Sequence, residues 1–295
     1  MPLVKLQDGK SDWSDIKDVA YFLWKSSEQA SLQEAEIQMR RDTCDPNLNV
    51  LAFHTGVNVA RKAVLVVHGS KVIIAFSGGS DDEIEKNLWT MSKGGNWYDI
   101  PFVVRVDGDE VHSFYLEMWN GMKEELLRQL EMNLRRMVER EVVPTHVIVT
   151  GFSMGGGVSI LAFREILNHI RHQFGSETPS RHHWASEDNL KNLLAHYTFA
   201  AMAAGDMNFH TKLNSLYDKH QIRAWDFMHH LDKTRSFHGI AFRSWRGHRY
   251  ILPDATVGEF RAEFGEHGHS MLGYLKAAEW MLENGTDQAH PEYSY

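Results

Sequence analysis

Thr150-Gly151-Phe152-Ser153-Met154-Gly155-Gly156 is the stretch whose reading decides how this chain folds. A short apolar run, Val147-Ile148-Val149, precedes it, and from Val158 to Ile170 apolar residues return at helical spacing. The run reads as a strand, the later segment as a helix, and the glycines let the chain pass from one to the other through a turn with no room for side chains. A serine at the tip of such a turn takes a strained backbone conformation, and its hydroxyl projects outward. The helix behind it aims backbone N–H groups and the positive end of its dipole at the same point. Ser153 is therefore a candidate nucleophile, with the N–H of Met154 placed to receive an oxyanion. A serine hydroxyl needs a histidine to take its proton and an acid to fix that histidine's tautomer. In a strand-turn-helix arrangement of this kind both partners follow the serine in the chain.

Working outward, two β-branched runs, Ala63 to Val67 and Val72 to Phe76, flank His68-Gly69-Ser70-Lys71 and predict a hairpin. The turn Ser77-Gly78-Gly79-Ser80-Asp81-Asp82 ends the second strand. Leu116, Trp119, Leu126, Leu127, Leu130, Leu134 and Met137 recur at helical intervals and predict a long amphipathic helix between Val111 and Arg140. From Asp12 to about Arg41 the composition reads as a helix covering one face. Strands alternating with helices predict an α/β layer fold with a mostly parallel central sheet and helices on both faces. We expect one domain over residues 1–295, with an N-terminal helical segment at 1–60 and a polar surface insertion at 171–190. The pair His182-His183 in that insertion lacks a carboxylate at ligand spacing and is expected to be solvated, with no metal implied.

Composition narrows the function. A formal charge of −8 with no basic stripe argues against a nucleic-acid partner. Cys44 is the only cysteine, which excludes an internal disulfide framework; we expect it to be a partly buried small residue. The first residues lack a charged segment followed by an apolar stretch, and no apolar run is long enough to span a bilayer. A cytoplasmic protein is the expectation from these features, and they leave the oligomeric state open.

Four ordered segments resemble the lipase class 3 family, the group of fungal triacylglycerol lipases and plant acylhydrolases. Val72-Ile73-Ile74-Ala75-Phe76 followed by Ser77-Gly78-Gly79 resembles its strand ending in F-R-G-T or F-R-G-S. Val111-His112-Ser113-Phe114-Tyr115 resembles V-H-x-G-F, the turn around Ser153 resembles T-G-H-S-L-G-G, and His269-Ser270-Met271-Leu272-Gly273-Tyr274-Leu275 is similar to H-x-L-x-x-Y-L. The resemblance spans roughly residues 60 to 278 and implies an α/β-hydrolase fold.

It further implies that His269 is the base, with His267 the alternative two residues away. Asp226 in Trp225-Asp226-Phe227-Met228-His229-His230-Leu231 matches D-x-V-P-x-L and is the implied acid, with Asp232 the alternative. His229 stands where that pattern has proline. Asp206 is expected to be a turn or cap residue. The oxyanion donors are Met154 with Gly79 or Ser80, because Gly79 occupies the place of the family's Ser or Thr. Residues 80–99, with Ile84, Leu88, Trp89 and Met91 and the candidate hinge Gly94-Gly95, lie where the family carries a lid. The implied activity is hydrolysis of a small-molecule or lipid ester, or a lactone, through an acyl-enzyme. No cofactor is implied, and contact with a lipid surface would be transient. An acyltransferase or cyclase using the same residues, and a binding protein that keeps only the fold, are the alternatives.

Overall fold

The computed structural model describes residues 10–28, 31–54, 62–79, 103–175, 182–232, 249–265, 268–284 and 290–291; the candidate lid, Ser80 and His267 fall outside them. The strands are β1 (Asn49–Phe53), β2 (Ala63–His68), β3 (Lys71–Phe76), β4 (Val103–Val106), β5 (Asp109–His112), β6 (His146–Phe152), β7 (Leu194–Phe199), β8 (Arg223–Met228), β9 (Arg249–Ile251) and β10 (His290–Pro291). The main helices are α1 (Lys10–Glu28), α2 (Leu32–Thr43), α3 (Ser113–Glu139), α4 (Met154–Phe174), α5 (Met207–His220) and α6 (Met271–Asn284). Among the described residues the central sheet runs β1-β2-β3-β6-β7-β8-β9-β10. Its middle, β3 through β9, is parallel, and antiparallel strands close both edges.

A parallel sheet covered on both faces needs strands that are apolar on both sides, and β3 meets that need. Val72, Ile74 and Phe76 join the core under α3 and α4, whereas Ile73 and Ala75 join the core under α1 and α6. This period of two explains why β2, β3 and β6 read as unbroken apolar runs. The predicted hairpin is present with the register His68↔Lys71. No helix among the described residues is long and apolar enough to cross a membrane.

Three expectations change. The N-terminal helical run is two helices, because the Ser31 hydroxyl accepts the N–H of Glu34 and caps a new start. Cys44 is exposed, since it ends α2 in a left-handed conformation at φ 53° that turns it away from the core. His182 is partly covered, its ring stacked on Trp184 at 5.5 Å between centroids. Asp206 caps α5 as expected, accepting the N–H of Phe209 at 2.8 Å.

The junction of β5 with α3 bears directly on the Ser153 turn. His112 sits at the N-cap of α3 and stacks on Tyr115 at 4.5 Å, and the Tyr115 ring lies where a Cβ on Gly157 of α4 would have to go. Burial pushes the imidazole pKa of His112 down to about 4. The folded chain therefore refuses a proton that the unfolded chain binds below about pH 6.5, so this contribution to stability is present above that pH and is lost as the pH falls toward 4. Replacing His112 by Phe, which keeps the stacking, should remove about 3 kcal/mol of acid destabilisation between pH 6.5 and 4, read by urea unfolding at both pH values.

Candidate active site

β6 ends at Phe152 and α4 begins at Met154, so Ser153 alone makes the turn, with φ 54° and ψ −120°. This backbone conformation is disfavoured for any residue with a Cβ and persists only where surrounding contacts impose it. The Ser153 N–H donates to the carbonyl of Phe199 at 3.0 Å. Its own carbonyl accepts from Met202 N–H at 3.1 Å and Gly157 N–H at 3.3 Å. The turn thus bonds to the end of β7, to the loop after it and to its own helix. Closeness to β3 is the further condition: a Cβ on Gly155 would lie 2.2 Å from the Phe76 carbonyl oxygen and 2.3 Å from that of Ser77.

Opposite this turn, His269 lies two residues before α6. Its Nδ1 is 3.0 Å from Asp232 Oδ2, and because a carboxylate only accepts, Nδ1 carries the hydrogen. In the neutral ring Nε2 is then the basic nitrogen, and it has no hydrogen-bond partner among the described residues. The Phe152 ring, one residue before Ser153, stacks on the His269 ring at 4.5 Å between centroids. The Asp232 side chain is fully enclosed and also accepts from the Tyr274 hydroxyl at 2.6 Å. Burial, followed by the charge of Asp232, pushes the Tyr274 phenol well above its ordinary range, so it stays a donor.

The partner of His269 is therefore Asp232, and the expectation of Asp226 in that position is corrected. Asp226 lies within β8, where Oδ1 accepts from the Thr198 hydroxyl and the Ala201 N–H, both at 2.9 Å. Its Oδ2 is 3.3 Å from Arg249 Nη2. Burial raises its pKa, against the opposing pull of Arg249 and the two other donors. A carboxylate enclosed by its own sheet neighbours braces β7, β8 and β9 and does not reach His269. Ser80 and His267 lie outside the described residues, while Gly79 is half-buried after β3 and Met154 opens α4.

A second Ser–His pair exists in a different setting. His196 of β7 receives the Tyr217 hydroxyl at Nδ1, 2.7 Å away. Its Nε2 is 3.0 Å from Ser159 Oγ, which donates to the carbonyl of Gly156 at 2.7 Å. Ser159 and His196 are wholly buried, and the His196 ring stacks on Phe163 at 4.9 Å, so no substrate reaches them. The relay supports the first turn of α4 from below. Sequence reasoning passed over Arg249, Thr198 and this relay, because an isolated polar residue inside an apolar strand carries no sign of its partner.

A parallel sheet with a serine at a strand-to-helix turn and a histidine–carboxylate pair in the loops beyond the later strands defines an α/β-hydrolase. Solved structures with this fold include a Rhizomucor miehei lipase propeptide complex, at TM-score 0.57 and 16% identity over 83% of this chain and 68% of that one. The Rhizomucor miehei triacylglyceride lipase matches at TM-score 0.56 and 15% identity, covering 88% of this chain and 93% of that one. Another, described as a triacylglycerol lipase with a serine-protease triad as its catalytic centre, matches at TM-score 0.51 and 15% identity over 82% and 79% of the two chains. No curated protein matches in sequence. The profile of the family Lipase (class 3) matches residues 74–234, more than half of the chain, and the chain belongs to that family. It is a carboxylic ester hydrolase of the serine type.

The close approach of α4 to β3 predicts that Gly155→Ala destabilises the fold by about 2–3 kcal/mol, a fall in Tm of roughly 3–5 °C, because the clash is with backbone that no rotamer change relieves. Differential scanning fluorimetry checks this, and an unchanged Tm would show that α4 stands further from β3.

Proposed function

We propose that this chain hydrolyses esters with an apolar acyl group through the triad Ser153, His269 and Asp232. The observation that carries the reading is the His269–Asp232 hydrogen bond, which leaves Nε2 as a base with no partner among the described residues, in a ring stacked on Phe152, the residue before Ser153. Ser153 Oγ attacks the ester carbonyl as its proton passes to His269 Nε2. Asp232 keeps Nδ1–H in place and stabilises the imidazolium. The tetrahedral oxyanion is received by the N–H of Met154 and by a donor in the Gly79-Ser80 segment. His269 then protonates the departing alcohol, the acyl group stays on Ser153, and a water activated by the same nitrogen releases it as the acid. Leu231, 43% exposed and adjacent to Asp232, supports an apolar rim that would meet a lipid or its acyl chain.

Asp232 acts as the acid in place of Asp226 because it is the carboxylate bonded to the base. Ser153→Ala should abolish both turnover of a short p-nitrophenyl ester and labelling by a fluorophosphonate. Asp232→Asn should lower kcat by about 10³–10⁴-fold, the loss typical of a triad acid that can no longer fix the tautomer. Asp226→Asn should leave kcat in the wild-type range while lowering stability, since it removes the carboxylate charge from beside buried Arg249. The reverse ranking of the two Asp variants in kcat would return the role to Asp226.

A further inference from the structure

The loop that carries Asp232 is held to the loop that carries His269 by the side chain of His229. His229, three residues before Asp232, is fully buried. Its Nε2 lies 2.5 Å from the carbonyl oxygen of Gly268, the residue before His269. A carbonyl only accepts, so Nε2 carries the hydrogen and Nδ1 has the lone pair. Nδ1 accepts the N–H of Leu231 at 3.2 Å, and the His229 carbonyl accepts the N–H of Asp232 at 3.1 Å. One neutral imidazole thus bonds both sides of the acid–base pair. The two loops touch here. Gly268 has φ 67°, and a Cβ on it would lie 2.7 Å from the Leu231 carbonyl oxygen and 3.0 Å from His229 Cε1.

We propose that His229 is a positioning residue whose neutral ring keeps Asp232 and His269 in register, and that its protonation releases the acid loop and switches the enzyme off in acid. This rests on the reading of Ser153, His269 and Asp232 as the working triad. A proton on Nδ1 would face the Leu231 N–H with a second donor, so the protonated ring loses that bond. The groups around the ring are Asp232, whose charge and the Gly268 carbonyl favour the protonated form, and His230 and His269, which disfavour it. Phe264 at 4.1 Å and Tyr274 at 5.6 Å between centroids close the remaining sides. Burial outweighs the pull of Asp232 and the Gly268 carbonyl and holds the pKa below the ordinary histidine range. The tie is accordingly intact at neutral and alkaline pH and is lost as the pH falls through the depressed value.

The test compares wild type with His229→Leu, His229→Gln and Asp232→Asn on a short p-nitrophenyl ester across pH 4–9, with Tm measured on each. His229→Leu removes both side-chain bonds and should lower kcat on the order of 10–100-fold with KM unchanged, the scale of loss for a misplaced catalytic group. His229→Gln can still donate to Gly268 and cannot titrate, so it should recover most of kcat at pH 8. On the acid side, log kcat/KM of wild type should steepen from a one-proton to a two-proton slope, and His229→Gln should keep the one-proton slope. Where His229→Leu fails to fold, the slope of His229→Gln decides. Wild-type kcat in both His229 variants, an equal loss in both that follows Tm, or a two-proton slope retained in His229→Gln overturns the proposal. Full activity in Asp232→Asn overturns the triad reading itself, so the two failures are distinguishable.

Discussion

The strained backbone of Ser153, at φ 54° and ψ −120°, is the constraint around which this protein is arranged. A residue does not stay in that conformation unless its neighbours over-determine it, and here the neighbours come from four places at once. β7 and the loop after it bond to the Ser153 backbone, β3 sits against Gly155, and the ring of Tyr115 from α3 lies beside Gly157. The order β3-β6-β7 in the sheet brings those elements together, and the parallel direction sends all three strand ends to the same edge. The strained turn is thus an outcome of topology as much as of the glycines that permit it.

Buried polar groups organise the remainder of that edge, and each is closed by partners distant in sequence. Asp226 links β8 to Thr198 of β7 and to Arg249 of β9, the arrangement by which an enclosed carboxylate avoids its desolvation penalty. The Tyr217–His196–Ser159 relay reaches the carbonyl of Gly156 and stiffens the base of α4. Asp232 takes donors from His269 and Tyr274 on one oxygen. Such fully bonded networks favour a single arrangement, because any other leaves a polar group unpaired in a dry interior.

These networks also account for the different partners of Asp226 and Asp232. Both Asp226 and Asp232 are buried, and both follow Ser153 in the chain, yet one lies within a strand and the other four residues beyond its end. A strand residue has its side chain fixed by the pleat and its cross-strand neighbours, Thr198 and Arg249. A loop residue past the strand end is free to meet the loop before α6.

The sequence by itself determined the α/β layering, the hairpin of β2 and β3 and the strand-turn-helix at Ser153, because each is carried by local spacing. Hydrophobic period, glycine placement and a short motif are properties of neighbouring residues, and neighbours in sequence need no fold to be read. Even so, the break between α1 and α2 went unread, since a cap at Ser31 interrupts the chain without interrupting its helical spacing. Only the tertiary structure paired His269 with Asp232 and Asp226 with Thr198 and Arg249, exposed Cys44, and gave His229 and Tyr274 their partners. Those outcomes depend on which distant groups meet: His269 lies 37 residues from Asp232, and Gly268 lies 39 from His229. A carboxylate's role is set by which donors surround it once the chain is packed, and that information is held in the packing of strands and loops, not in the run of residues on either side of it.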